Sequence, residues 1–269
     1  RKESSAASDV YKRQGWFMGV CKVKNIVIGE GMPKICVPVV SNNHQDIITD
    51  LIRLQSLDID LIELRIDYFN ELLDHQKLTE LFKAIASMAI KQGIILTYRS
   101  VPEGGNGKLS NDEYMQLYSI ALESGAFDIY DVELSSGTNT IINLSNLIHQ
   151  NDKKIIMSSH DFTRTPSIDT MLGKIKQMDS LEADIIKIAV MPEDYRDVLL
   201  LLETTLKANE LYDKPLVTMS MSSKGIATRI LGEQFGSAIT FGKDNNSSAP
   251  GQIKVHALKE VLKVIHHNN

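Results

Sequence analysis

A chain of 269 residues, 43% hydrophobic and 23% charged, lies in the ordinary globular range and has enough apolar material for a sizeable core. A formal charge of −5 leaves no cationic surplus for a phosphate backbone, which excludes a dedicated nucleic-acid binder; a small anionic ligand would need individual arginines. Cys21 and Cys36 are the two cysteines, in no metal-ligand spacing, so a disulfide framework and a zinc module are excluded and a reducing cytoplasm fits.

Residues 1–14 (RKESSAASDVYKRQ) show no apolar period, and DVYKRQ reads like one translated frame of a sequencing-library adapter. They are expected to be a non-native or disordered tail, with residues 15–269 forming one domain. No run is apolar and long enough to cross a bilayer, and the opening residues lack a signal-peptide pattern, so a soluble protein is expected. VKNIVIGEG (23–31) suits a short hairpin.

From Lys34 onward short apolar runs alternate with amphipathic stretches. The predicted strands are KICVPVV (34–40), LIELRID (61–67), GIILTYR (93–99), FDIYDVEL (127–134), KIIMSSH (154–160), DIIKIAV (184–190), PLVTMSM (215–221) and SAITFGK (237–243). Each is rich in β-branched residues and bounded by polar or Gly/Pro breaks. Helical spacing lies between them, as in Ile47, Ile48, Leu51, Ile52 and Leu54, in Tyr114, Leu117, Tyr118 and Ala121, and in Val255, Leu258, Leu262 and Ile265. Eight such units in about 235 residues match an α/β (β/α)8 TIM barrel, its floor closed by the N-terminal hairpin. An open doubly wound sheet would normally carry a Gly-rich turn after its first strand, and VPVVSNNHQD has none.

Charged residues inside these runs are the informative ones, because barrel chemistry sits at the C-terminal strand ends. Lys187 lies between Ile186 and Ile188, so alternation turns it to the interior with Ile185 and Ala189. An amine in an apolar interior is nucleophilic once neutral, the property a Schiff-base lysine requires; a lysine reaching the rim or paired to an acid is the plainer reading. Glu63, Arg65 and Asp67 alternate along the second run, as do Thr97 and Arg99 on the third, followed by Glu103, and Asp131 with Glu133 on the fourth. Such charges are costly unless they pair with one another or hold a polar ligand. His160 ends the fifth run, where an imidazole can take and give a proton or serve structure alone. The small-residue loop SSAPGQI (247–253) can close over a ligand, and Arg229 suits either a carboxylate or an ordinary helix surface.

Taken in order, ELRID (63–67), TYRSVPEGG (97–105), SSHDF (158–162), DIIKIAV (184–190), SMSSKGIATRI (220–230), FGSAITFG (235–242) and SAPGQI (248–253) resemble the type I 3-dehydroquinate dehydratases of the shikimate pathway. The resemblance covers the chain from about residue 34 to its end. It implies that Lys187 forms a Schiff base with 3-dehydroquinate, that His160 is the general acid/base and that Glu103 orients the imidazole. Glu63, Arg65 and Arg99 would hold ring hydroxyls, while Arg229, Ser248 and Gln252 would bind the carboxylate and close the lid. It also implies no metal or other cofactor and a homodimer. Ser159 departs from the pattern, since an aromatic residue precedes the histidine in many members, and this is expected to alter packing beside His160. A class I aldolase or transaldolase would share the lysine but needs a phosphate nest that the last loops lack; a non-catalytic metabolite-binding barrel is the remaining alternative.

Overall fold

The computed structural model describes residues 19–244 and 249–267; the expected tail and Ser248 lie outside them. The first elements are a hairpin, β1 (Cys21–Val23) and β2 (Ile26–Ile28), paired antiparallel across Lys24 and Asn25. Eight parallel strands follow: β3 (Lys34–Val39), β4 (Leu61–Arg65), β5 (Gly93–Thr97), β6 (Ile129–Glu133), β7 (Lys154–Asp161), β8 (Ile185–Val190), β9 (Leu216–Ser220) and β10 (Ile239–Lys243). Helices α1 (His44–Leu54), α2 (His75–Ser87), α3 (Asn111–Ser124), α4 (Thr138–Gln150), α5 (Ile168–Ser180) and α6 (Tyr195–Leu211) connect them in turn. Two short helices, α7 (Ile226–Ile230) and α8 (Gly232–Phe235), then precede β10; β11 (Ile253–Lys254) and α9 (Val255–His266) complete the order.

Register is set at the strand starts by a recurring aspartate. Asp60, Asp128 and Asp184 each precede a strand, and each accepts the backbone N–H of Ile35, Ile94 or Ile155 at 2.8–2.9 Å. Each also donates its own N–H to the carbonyl of that same residue, so both ends of the pairing are held.

The strands pair in sequence order, with β10 beside β3. The remaining seam, between β9 and β10, is closed where Leu216 bridges Ser237. There the Ser237 hydroxyl accepts the Thr218 N–H at 3.0 Å, a side chain standing in for the ladder. This ring is the predicted barrel, since an open sheet would leave both of those edges apart.

Alternation along the strands separates two buried layers. Ile62, Leu64, Leu96 and Tyr130 face the helices, whereas Leu61, Ile95, Ile129, Ile156, Ile185 and Val217 meet inside the barrel floor. Cys21, Val23 and Ile28 of the hairpin join that inner cluster, and Lys24 reaches the carbonyls of Ile90 and Gln92 and the carboxylate of Asp128. The hairpin therefore covers the N-terminal end of the barrel, as expected. Helix starts carry their own caps: Asn43 accepts from Asp46, and Ser110 with Glu113 forms a reciprocal capping box.

Several strands are shorter than their sequence runs, and at β4 and β5 the residues left out include the charged Asp67 and Arg99. β4 stops at Arg65, and residues 66–68 turn into a 3-10 helix that carries Asp67 away from the strand. Its carboxylate bonds the backbone N–H groups of Arg99 and Asn106, tying this turn to the loop after β5.

Candidate active site

Two residues above the apolar floor, the interior positions turn polar: Glu63, Thr97, Asp131, Ser158 and Lys187. The register explains their meeting, because Ser158 is opposite Lys187 and His160 opposite Ala189 on the neighbouring strand. Lys187 is 3% exposed and lines a cavity at the C-terminal end of the barrel, together with Glu63, Arg65, Arg99, Glu103 and His160. Its Nζ stands 3.4 Å from Asp131 and 3.5 Å from Glu63, with the Phe241 ring centroid at 4.5 Å. Thr97 donates its hydroxyl to the same Glu63 oxygen at 2.9 Å.

Arg99 organises the acidic side of the cavity. Its Nη2 donates to Asp131 at 2.8 Å, and its Nη1 to Glu133 and to the Ser158 hydroxyl, both at 2.9 Å. Ser158 in turn donates to Asp131 at 2.6 Å. Burial works to push Asp131 up, yet Arg99, Lys187 and the Ser158 hydroxyl hold it below the usual carboxylate range. Arg65 grips Asp67 through Nε and Nη2 at 2.8 and 2.9 Å, a bidentate pair that fixes its plane.

His160 and Glu103 form the third group. One Glu103 oxygen, Oε2, lies 3.0 Å from Nδ1 of the imidazole and accepts the His160 backbone N–H at 3.1 Å. The other, Oε1, accepts the Ser135 hydroxyl at 2.6 Å. Burial, followed by the cations Arg99 and Lys187, holds the imidazole well below its usual value and hence neutral. Burial also raises Glu103, to about 7, with Arg99 opposing and Glu133 reinforcing the rise. The arrangement holds an interior amine beside an oriented, neutral imidazole in one cavity, a combination suited to carbonyl addition and proton transfer.

Residues 35–269 match the type I 3-dehydroquinase family. The chain belongs to that family. It is 42% identical over 246 residues to the 3-dehydroquinate dehydratase of Clostridioides difficile strain 630, covering 91% of this chain and 96% of the relative. Among solved structures, a type I 3-dehydroquinate dehydratase from Clostridium difficile with covalently modified comenic acid superposes with a TM-score of 0.90 at 40% identity, covering 94% of this chain and all of that one. The Geobacillus kaustophilus 3-dehydroquinate dehydratase superposes at 0.91 with 34% identity, over 94% and 98% of the two chains. Family membership carries the activity with it: a carbon–oxygen lyase acting on 3-dehydroquinate.

Of the residues that resemblance to the 3-dehydroquinases singles out, Lys187, His160, Glu103, Glu63, Arg65, Arg99 and Gln252 all line the cavity. Arg229 does not. It is 2% exposed and donates to the carbonyls of Pro250 at 3.1 Å and Phe241 at 3.5 Å, behind the loop that carries Gln252. Its Nε has no hydrogen-bond partner among the described residues, and burial alone pulls the guanidinium down to about 10. Ser248 falls outside the described residues. Ser159 faces the helix layer, where it accepts from Lys174 at 2.9 Å, and Lys174 is one of the cations that help to hold the His160 imidazole below its usual value.

Sequence reasoning left some contributors without a role. Asp131 and Glu133 stood out as charges but prove to be the anchors of Arg99. Met219, Met221, Phe162 and Phe241 supply an apolar wall; the alternation of Met219 and Met221 at the end of β9 was the available signal. Ser135 gave none, because its contact with Glu103 spans 32 residues.

Proposed function

We propose that Lys187 is the Schiff-base lysine of the dehydratase reaction, with His160 moving the protons and Glu103 orienting it. The observation that carries this reading is an interior lysine sharing a cavity with a neutral imidazole held by a carboxylate. The Lys187 amine adds to the C3 ketone of 3-dehydroquinate and loses water to form a protonated imine, which withdraws electrons and acidifies the C2 hydrogen. With Nδ1–H directed to Glu103, the Nε2 lone pair of His160 takes that proton and leaves an enamine. The same proton is then given to the departing C1 hydroxyl. Hydrolysis of the imine restores Lys187, and the balance is 3-dehydroshikimate plus water. No step calls on a metal or a nucleotide.

Glu63, Arg65 and Arg99 hold ring hydroxyls in this reading, and the Arg65 pairing with Asp67 uses Nε and Nη2, leaving Nη1 as a donor. Arg229, Ser248 and Gln252 take the substrate carboxylate. A buried guanidinium satisfied by two carbonyls and no carboxylate among the described residues supports that role, since an anion would supply the missing countercharge. The catalytic unit is one barrel domain over residues 15–269, to which residues 1–14 contribute nothing. It works as a cytoplasmic homodimer; two buried free thiols, Cys21 and Cys36, agree with a reducing compartment.

Borohydride added during turnover tests the covalent step. The expected result is inactivation with a reduced adduct on the peptide containing Lys187, and neither adduct nor turnover in Lys187→Ala. His160→Ala keeps the nucleophile and still traps some adduct while losing on the order of 10²- to 10⁴-fold in rate. An adduct on another lysine, or full turnover by Lys187→Ala, overturns the assignment.

A further inference from the structure

The Ser135 hydroxyl makes its hydrogen bond to a residue 32 positions away, a contact that does nothing for its own turn. It follows β6 on the 3-10 turn at residues 134–136, at an exposed position. It also borders a depression outside the catalytic cavity, lined among others by Ser100, Glu133 and Ser136. From there it reaches Oε1 of Glu103, the oxygen that His160 does not use. We infer that Ser135 is a positioning residue for proton transfer, holding Glu103 ionised and aimed at His160; the inference rests on the roles proposed above for that pair.

The tautomer of His160 depends on the charge of Glu103. An ionised Glu103 accepts only, so it selects the imidazole with hydrogen on Nδ1 and leaves the Nε2 lone pair free to act as base. A protonated Glu103 can donate to Nδ1 instead, which moves the ring hydrogen to Nε2 and removes the base. The charge on Glu103 thus decides whether His160 can take the C2 proton.

The groups facing that carboxylate are few. Arg99 stands 3.6 Å from Oε2, Glu133 and Asp131 approach from β6, and His160 from β7. Burial opposes ionisation most strongly, Arg99 counters it, and Glu133 and Asp131 add to the opposition. The Ser135 hydroxyl favours the charged form and donates to the oxygen that neither the ring nor the backbone N–H of His160 uses. Losing it leaves a half-satisfied carboxylate whose proton affinity rises.

The test is the pH profile of kcat/KM for the wild type, Ser135→Ala, Ser135→Thr and Glu103→Gln. Ser135→Ala should shift the acid limb to higher pH by about half to one unit, which lowers activity near pH 6 by roughly three- to tenfold while the alkaline plateau falls much less. Ser135→Thr restores the hydroxyl and returns the limb. An unmoved limb in Ser135→Ala, or an equal loss at every pH, overturns the inference while leaving the dyad intact if Glu103→Gln has abolished the limb. A limb that persists in Glu103→Gln removes the dyad reading itself, and the inference with it.

Discussion

Replacing Arg99 with methionine removes the cation around which the acidic wall of the cavity is built. The guanidinium is 4% exposed and gives up three hydrogen bonds in the exchange, to Asp131, Glu133 and Ser158. Lys187 still faces Asp131, whereas Glu133 keeps the Ser100 N–H at 2.9 Å. Stranding one partner of a buried ion pair costs about 3–5 kcal/mol. At about 2–4 °C per kcal/mol for a domain of this size, a 4 kcal/mol loss lowers Tm by about 8–16 °C. The deficit also depends on pH. Because the folded protein holds Asp131 below its usual range, that stabilisation is present above the unfolded value of about 4 and is lost as pH falls through the lower folded value. Without Arg99 burial leads, the folded value rises, and ionising Asp131 costs stability as pH climbs above about 4. Glu103 moves in the same direction, since Arg99 also opposes its protonation. Denaturant titrations followed by circular dichroism at pH 4.5, 6 and 8 should therefore show a gap between wild type and Arg99→Met that widens with pH, with Arg99→Lys falling between. A gap under about 1 kcal/mol, or one that stays constant from pH 4.5 to 8, refutes the account of this network.

Arg229→Ala should raise KM by far more than it lowers Tm, and Arg229→Lys should not restore affinity because a point charge does not reproduce a bidentate fork; unchanged affinity in isothermal titration with substrate removes Arg229 from the carboxylate site. Activity should survive exhaustive chelation, and a loss with EDTA that a divalent ion restores would count against the Schiff-base route. Ser237→Ala removes two buried hydrogen bonds from the seam between β9 and β10, one accepted from the Thr218 N–H and one donated to the Thr218 carbonyl, and should cost about 1–3 kcal/mol in stability; a variant that melts with the wild type shows that the bridge does not depend on this hydroxyl.

The fold was legible because its code is local. β-branched runs with buried pairs at i and i+2 and helical stretches between them mark strands and helices wherever they occur, and eight such units leave few ways to cover both faces of every strand. The same alternation picked out Glu63, Arg65, Thr97, Arg99, Asp131, Glu133, Lys187 and His160, since a polar side chain among interior positions is expensive and must have a partner. Asp67 escaped that logic: its parity matched β4, but the chain turned before reaching it.

What sequence could not reach were the pairings across strands. That Asp131 and Glu133 serve Arg99, that Ser135 serves Glu103, and that Phe241 lies over Lys187 depend on barrel closure and register, which bring positions far apart in the chain within hydrogen-bonding or stacking distance. Arg229 marks the same boundary, for sequence allowed both a surface helix arginine and a ligand for an anion. Only packing decided that its guanidinium is buried behind the loop carrying Gln252, with Nε lacking a partner among the described residues. Periodicity reports which face a side chain takes, a property of its own few neighbours along the chain. The partner it meets there is set by long-range closure, which no local pattern encodes.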